Sequence, residues 1–515
     1  MFCSVFSAAI AGVEAVPVSV EADVSDGLPV FTIVGYVSSQ VREAQDRVRT
    51  ALRNVGFCLP PKRITINLSP GDLRKEGTRF DLPIAAAVLM AAGAIRADSL
   101  DRTLLVGELH LDGRTAHVTG ILPTVMAARE AGCTACIIPL ANDGEGRVVD
   151  GIRVIGIESL PQLIRYCRDG TVPSAAETGK SADFRENAGD NAAPAVQPDF
   201  SDIRGQAGVK RAALIAAAGF HNLLLSGPPG SGKSMAAQRI PTILPDLTAE
   251  ESLEISKIYS IAGLLPKGIA LMKNRPFRAP HHTITAAALC GGGLTPHPGE
   301  VTLAHRGVLF LDELPEMNPR TLEMLRQPIE EHRILVARAR GSYVFPASFL
   351  LVAAMNPCPC GYYPDRKRCT CTPVEIRSYQ SRISQAFLDR IDLRCEVPAA
   401  SYADLTGESV NEISSAQMRL QVEKAAAIQA ERYKGTGILF NSELNSRMIG
   451  RYCDVSTDAE MLMQAAYRQL GLSARGYHRI IRTARTIADL DGSEVIKEAH
   501  ISEALMCRCG KESPH

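Results

Sequence analysis

No apolar stretch in this 515-residue sequence approaches the roughly 18 residues that a membrane span requires. The chain therefore offers no candidate for a spanning helix, and no membrane partner is expected. Net charge is also missing, since Lys plus Arg and Asp plus Glu each number 56. A neutral chain has no overall field to draw in nucleic acid, so any such contact must come from a local patch. The short apolar run Val5 to Ala11 has no basic leader, and Glu14 follows closely. It is expected as a first strand and not as a secretory signal. Tryptophan is absent, which excludes nothing by itself, and no internal repeat is visible. Cysteine, in contrast, is present in quantity, at fourteen residues. Without a secretory signal, these predict reduced thiols or metal ligands in a cytoplasmic setting.

The most informative stretch is Gly227-Pro228-Pro229-Gly230-Ser231-Gly232-Lys233-Ser234, which fits G-x-x-x-x-G-K-[ST]. It follows the apolar run Leu223 to Leu225 and precedes the helix-compatible run Met235 to Ile240. Glycines let the backbone wrap a phosphate so that several N–H groups face one anion. The helix that follows presents its positive end to the same anion. In this chemistry Lys233 reaches the β- and γ-phosphates and the Ser234 hydroxyl ligates Mg²⁺. A second strand pattern, Gly307-Val-Leu-Phe-Leu-Asp-Glu313, lies downstream, with Asp312 79 residues after Lys233. Its continuous apolar run predicts a parallel strand buried on both faces. Asp312 is expected to hold the Mg²⁺ shell and Glu313 to polarise the attacking water. A third such strand, Phe349-Leu-Leu-Val-Ala-Ala-Met-Asn356, ends in an asparagine placed to sense the γ-phosphate or its water.

A length of 515 residues suggests about three domains. Residues 1–168 alternate strand-like segments (Val16 to Val24, Ile64 to Leu68, Ala135 to Pro139, Arg153 to Ile157) with helix-like ones (Val41 to Val55, Leu82 to Ala92, Ile121 to Ala131). Residues 169–198 are rich in Ala, Gly, Ser, Pro and charge without periodicity, which predicts a flexible linker. The phosphate-loop core is expected over 199–398, and a helical segment over 399–515, with amphipathic stretches at Ser415 to Tyr433 and Tyr477 to Leu490.

Several longer motifs surround these sites. They include Arg275-Pro-Phe-Arg-Ala-Pro-His-His-Thr283, Pro298-Gly-Glu300, Val352-Ala-Ala-Met-Asn-Pro-Cys-Pro-Cys-Gly361 and Ser473-Ala-Arg-Gly-Tyr-His-Arg479. In them the chain resembles the AAA+ ATPases, and within these the ComM/YifB family of bacterial Mg-chelatase-like ATPases, over nearly its whole length. The resemblance implies an α/β phosphate-loop core with a parallel sheet and a helical lid. It also implies ATP as the nucleotide, assembly as a hexameric ring, and DNA branch migration during natural transformation. Such rings place ATP between subunits, and an arginine from the neighbour stabilises charge on the transferring phosphate. Phe387-Leu-Asp-Arg-Ile-Asp392 resembles the segment carrying that finger, which makes Arg390 the candidate. Here Ser384-Gln-Ala386 precedes it, where the family usually has Ser-Gly-Pro. Arg475 stands where a second sensor arginine would stand.

Residues 1–168 resemble the Lon-protease-like, ribosomal S5-like α+β domain of the same family, through Pro61-Lys-Arg-Ile-Thr-Ile-Asn-Leu68, Asp72-Leu-Arg-Lys-Glu-Gly77 and Gly107-Glu-Leu109. A working Lon-type peptidase needs a Ser activated by a Lys. The resemblance puts Arg79 at the nucleophile position and Leu122 where the Lys should be. A scaffold or partner-binding domain is therefore expected, without peptidase activity.

Sequence-nonspecific DNA contact, to single-stranded or branched DNA, requires basic loops. The segment Arg333 to Val344 reads as strand, turn, strand, with Arg338 and Arg340 at the turn, and the Gly-rich insert 284–300 is a second candidate. Cys358, Cys360, Cys369 and Cys371 form C-x-C-x8-C-x-C directly after Asn356. Four thiolates in two close pairs suit a structural, tetrahedral Zn²⁺, although C-x-C is tighter than common ribbon spacings. Between the pairs lie Tyr362-Tyr363 and Arg366-Lys367-Arg368. Cys507 and Cys509 are assigned no metal. His281 and His282 could be ligands, but core or interface histidines are the commoner use. The leading expectation is a ring-forming, ATP-dependent DNA translocase. The rivals are a magnesium-chelatase-type motor subunit and a nucleotide-gated assembly module that acts through a protein partner.

Overall fold

The computed structural model describes residues 1–171, 198–266, 269–293, 296–338, 341–399 and 412–509. The expected linker, 169–198, lies almost wholly outside them. The chain divides into two compact units, Met1–Ala193 with Ala249–Met272, and Pro194–Thr248 with Lys273–His515. The sequence had placed 249–272 inside the phosphate-loop core. The segment packs in the first unit instead.

The first unit is built on a seven-stranded mixed sheet. Its order is Phe31–Val34, Arg63–Ser69, Glu14–Ser25, Phe2–Ala11, Thr103–Leu105, Ala135–Pro139 and Arg153–Ile157. Side chains alternate across a strand, and here the alternation feeds two separate cores. Ile137 joins one, while Cys136 and Ile138 join the other. The first core holds the helix Asp81–Ala91, whose eleven residues are all buried, as expected for a helix that is apolar all round. The second holds the helix Ile121–Glu130, against which Leu253 and Leu271 of the transferred segment also pack. The helix expected over 41–55 starts at Ala44, after a single turn Ser39–Arg42 capped by Ser38. Thr103–Leu105 is too short to show periodicity, and only its parallel neighbours reveal it as a strand.

The second unit carries a five-stranded, wholly parallel sheet. Its order is Phe277–Arg278, Val308–Leu311, Leu350–Met355, Leu223–Ser226 and Leu393–Glu396. Because the strands are parallel, their carboxyl ends share one edge, which is where open α/β sheets bind ligands. Leu223–Ser226 lies between Leu350–Met355 and Leu393–Glu396, so the loop after it opens between strands on that edge. The C-terminal helices Ser415–Arg432, Ser446–Tyr452, Thr457–Gln469 and Ala474–Leu490 pack into the same core as the helix that follows the phosphate loop. The hairpin Arg333–Arg338 with Gly341–Pro346 forms as expected, with Leu335 opposite Val344. Both of these face solvent, while Ile334, Val336 and Phe345 are buried.

Candidate nucleotide site

The phosphate loop leaves its strand through Gly227, whose N–H donates to Met355 O at 3.2 Å. No side chain fits at Gly227, since a Cβ would stand 2.2 Å from Val397 O. Gly230 (φ +73°) and Gly232 (φ +90°) adopt the left-handed conformation, which turns successive amides toward one side. The helix Lys233–Ile243 begins at once. Ser231 Oγ is buried and has no hydrogen-bond partner among the described residues. A buried polar atom left unmatched in a loop of inward amides fits an anion-binding cradle.

The side chains around the cradle converge from three strand ends. Lys233 is buried and its Nζ donates to Gly227 O (2.7 Å), Pro228 O (2.9 Å) and Asn356 Oδ1 (3.1 Å). Burial lowers its pKa, and the nearby Asp312 carboxylate opposes the shift. Ser234 Oγ donates to Asp312 Oδ2 at 2.8 Å. The two expected Mg²⁺ ligands are therefore already in contact, and their hydroxyl and carboxylate oxygens are the hard donors that Mg²⁺ takes. Asp312 Oδ1 accepts the Glu313 N–H at 2.8 Å. Glu313 has φ +49°, a left-handed conformation that costs a side-chain-bearing residue energy.

Glu313 has a partner that sequence reading missed. His282 Nδ1 lies 2.9 Å from Glu313 Oε2. Of the uses expected for both histidines, core packing does not describe His282. It is half-buried, with its ring 4.1 Å from the His281 ring, and it engages the candidate base. The only signal was the His-His pair itself, because the register that brings it to Glu313 comes from Phe277–Arg278 pairing with Val308–Leu311.

Arg390 is 5% exposed and lies in its own subunit's fold. Its Nη2 meets Glu330 Oε1 at 2.8 Å and its Nη1 donates to Ala386 O at 2.5 Å. Action on a neighbouring site requires the Glu330 pair to open. Arg475 is exposed in the first turn of the helix Ala474–Leu490. One turn on, Arg479 Nη1 donates to Asp392 Oδ1 at 2.7 Å, two residues from Arg390. Asp392 is buried, which by itself would raise its pKa. Arg479 leads the opposing charges, and the carboxyl is held below its usual range.

The four cysteines converge. Their Sγ atoms all lie within 4.8 Å of one another, the only such group among the described residues. Arg338 closes its strand opposite Gly341, and Arg340 lies outside the described residues. In the first unit Arg79 is buried, with Nη2 donating to Thr119 O (3.2 Å) and Thr124 Oγ1 (3.1 Å). Burial pulls its pKa down to about 10, which leaves it a cation at neutral pH. Leu122, on the helix Ile121–Glu130 two residues before Thr124, is fully buried.

A parallel sheet in this order, with a phosphate loop after its inner strand Leu223–Ser226 and Ser234, Asp312, Glu313 and Asn356 gathered around Lys233, defines an AAA+ ATPase. Family descriptions agree: the magnesium chelatase ChlI subunit matches residues 199–405, its C-terminal region residues 412–508, and a further ChlI segment residues 20–142. Competence protein ComM of Haemophilus influenzae is 43% identical over 502 residues, covering 97% of this chain and 96% of that protein. Protein YifB of Escherichia coli is 42% identical over 504 residues, 98% of this chain and 96% of that protein. Lon protease 2 of Bacillus subtilis is 27% identical over 127 residues, 24% of this chain and 22% of that protein. The chain belongs to the ComM/YifB family of Mg-chelatase-like AAA+ proteins, with a Lon-like region at its N-terminal end.

Proposed function

We propose that this protein is a ring-forming, ATP-driven motor: a hexameric DNA translocase that moves branch points of recombination intermediates, as in natural transformation.

ATP is the substrate and the ring is its own partner. The observation that carries this reading is the convergence of Lys233, Ser234, Asp312, Glu313 and Asn356 at one sheet edge, in a chain 43% identical to a competence protein. Lys233 and the loop amides take the β- and γ-phosphates, and the lysine exchanges its carbonyl partners for phosphate oxygens. Ser234 and Asp312 hold Mg²⁺, which supplies charge neutralisation at the phosphates when bound. Glu313 accepts the proton of the attacking water, with His282 holding the carboxylate until it is needed. Asn356 orients that water, Arg390 comes from the neighbouring subunit, and Arg475 carries the nucleotide state into the C-terminal helices.

DNA contact falls to local basic groups in a chain of zero net charge. The hairpin arginines Arg338 and Arg340 are one set. The exposed run Arg366-Lys367-Arg368 is another, with Arg368 4.6 Å from the Tyr362 ring and Arg366 5.8 Å from the Tyr363 ring. Zinc on Cys358, Cys360, Cys369 and Cys371 is part of this reading, as is a cytoplasmic setting that keeps those thiols reduced. A chelatase-type motor is the second reading, favoured by the three ChlI descriptions that match the chain.

The test is ATP hydrolysis by the purified protein with and without single-stranded or branched DNA, with Lys233→Ala as the blank. Stimulation by DNA that the blank lacks is expected. Robust hydrolysis that ignores every DNA, yet responds to a chelatase partner, would select the second reading.

A further inference from the structure

The four-cysteine cluster is joined to the phosphate loop at two points. The strand Leu350–Met355 runs into Asn356, which accepts from Lys233 Nζ at 3.1 Å, and Cys358 follows two residues later. Gly361 then packs on the loop itself. A Cβ there would fall 2.4 Å from Pro229 Cδ and 2.8 Å from Pro229 Cγ. Gly361 has φ +85°, so glycine is required both by conformation and by space. Its N–H donates to Cys358 O at 3.0 Å. The first C-x-C pair therefore lies between the Lys233 partner and the Pro229 contact.

Little else holds this excursion in place. Between Pro359 and Thr372 only Gly361 is buried, so the segment has no apolar core of its own. The sulfur atoms are what meet. Cys358 Sγ lies 3.4 Å from Cys360 Sγ and 3.8 Å from Cys369 Sγ, and Cys360 Sγ lies 3.6 Å from Cys369 Sγ. A tetrahedron with Zn–S bonds of about 2.3 Å has edges of about 3.8 Å, so the donors already stand near that spacing. Each thiol releases its proton on binding, and four thiolates with Zn²⁺ carry two net negative charges. Arg366, Lys367 and Arg368, on the loop between the two pairs, offset them.

We infer that zinc on these four cysteines does more than close the knuckle. Through Gly361 on Pro229 and Asn356 on Lys233, the metal fixes the shape of the phosphate loop and so sets nucleotide affinity. The inference rests on the ATPase reading. Removing the second pair breaks the staple at the end remote from the loop. The chain after Asn356 then loses its anchor, Pro229 loses its support, and the loop spends less time in the binding shape.

The experiment uses the full chain, wild type and Cys369→Ser/Cys371→Ser, with zinc content by elemental analysis, affinity for a fluorescent ATP analogue, and circular dichroism. Wild type is expected to carry about one zinc per chain. The double variant is expected to lose it, keep its helical spectrum and bind the analogue about tenfold more weakly. Gly361→Ala serves as a second variant, since it keeps all four thiols. It is expected to retain zinc and still bind nucleotide more weakly. Wild type without zinc, or equal affinity with and without it and in Gly361→Ala, overturns the inference. Wild type that binds no more nucleotide than Lys233→Ala overturns the ATPase reading as well, which is a separate result.

Discussion

Lys233 donates to Gly227 O, Pro228 O and Asn356 Oδ1, and it gives these up when its ammonium turns to a phosphate. Glu313 stands outside that set, paired with His282. The two residues should therefore fail differently. Lys233→Ala is expected to lose nucleotide binding in an equilibrium titration. Glu313→Gln is expected to keep binding while turnover falls by about 10²- to 10⁴-fold, the range for loss of a general base. A Glu313→Gln protein with near-normal turnover would remove Glu313 from the water-activating role. At this scale the sequence named the groups but not their neighbours. The His282 contact and the Glu330 clasp on Arg390 join residues far apart in the chain, and no local pattern marks either.

The helix Ala474–Leu490 shows how an element is tied to its surroundings. Asp489 is fully buried and pairs with Arg432, with Asn441 donating to it at 2.8 Å. One turn earlier, Thr486 Oγ1 meets Nε2 of His221 at 2.7 Å. His221 is buried, and burial pushes its pKa down to about 4, against the pull of Asp392. The unfolded chain takes up a proton at this histidine below about pH 6.5, whereas the folded chain resists until about pH 4. Stability is therefore lost as pH falls across that window, by on the order of 3 kcal/mol from this group alone. Thermal melts from pH 7 to pH 4 should show the decline, and His221→Gln should flatten it. An unchanged slope in the variant would assign the decline to other groups. The sequence marked this helix by its amphipathic run, but it could not mark the buried polar network, because each partner comes from a different segment.

For the whole molecule, the two proposed halves of each site can be separated. Lys233→Ala removes the phosphate contact, and Arg390→Ala removes the finger. Each variant alone should be nearly inactive. Mixed in equal amounts, they should recover part of the wild-type ATPase rate, because some sites then combine an intact Lys233 with a neighbour's intact Arg390. Failure to recover, in mixtures shown by light scattering to have exchanged subunits, would place Arg390 in the service of its own subunit, where its contact with Glu330 already lies.

The sequence by itself determined the phosphate loop, the two carboxylates at the end of Val308–Leu311 and the asparagine after Leu350–Met355. Each is written in a short run of residues whose spacing or chemistry allows little else. The same holds for the parallel core, because strands buried on both faces must be apolar throughout. Only the tertiary structure decided that Ala249–Met272 packs with the first unit, that His282 faces Glu313, and that Gly361 rests on Pro229. These are contacts between segments distant in sequence. They depend on strand order and on which surfaces remain to be covered once each core has closed, and neither has a local sequence signature.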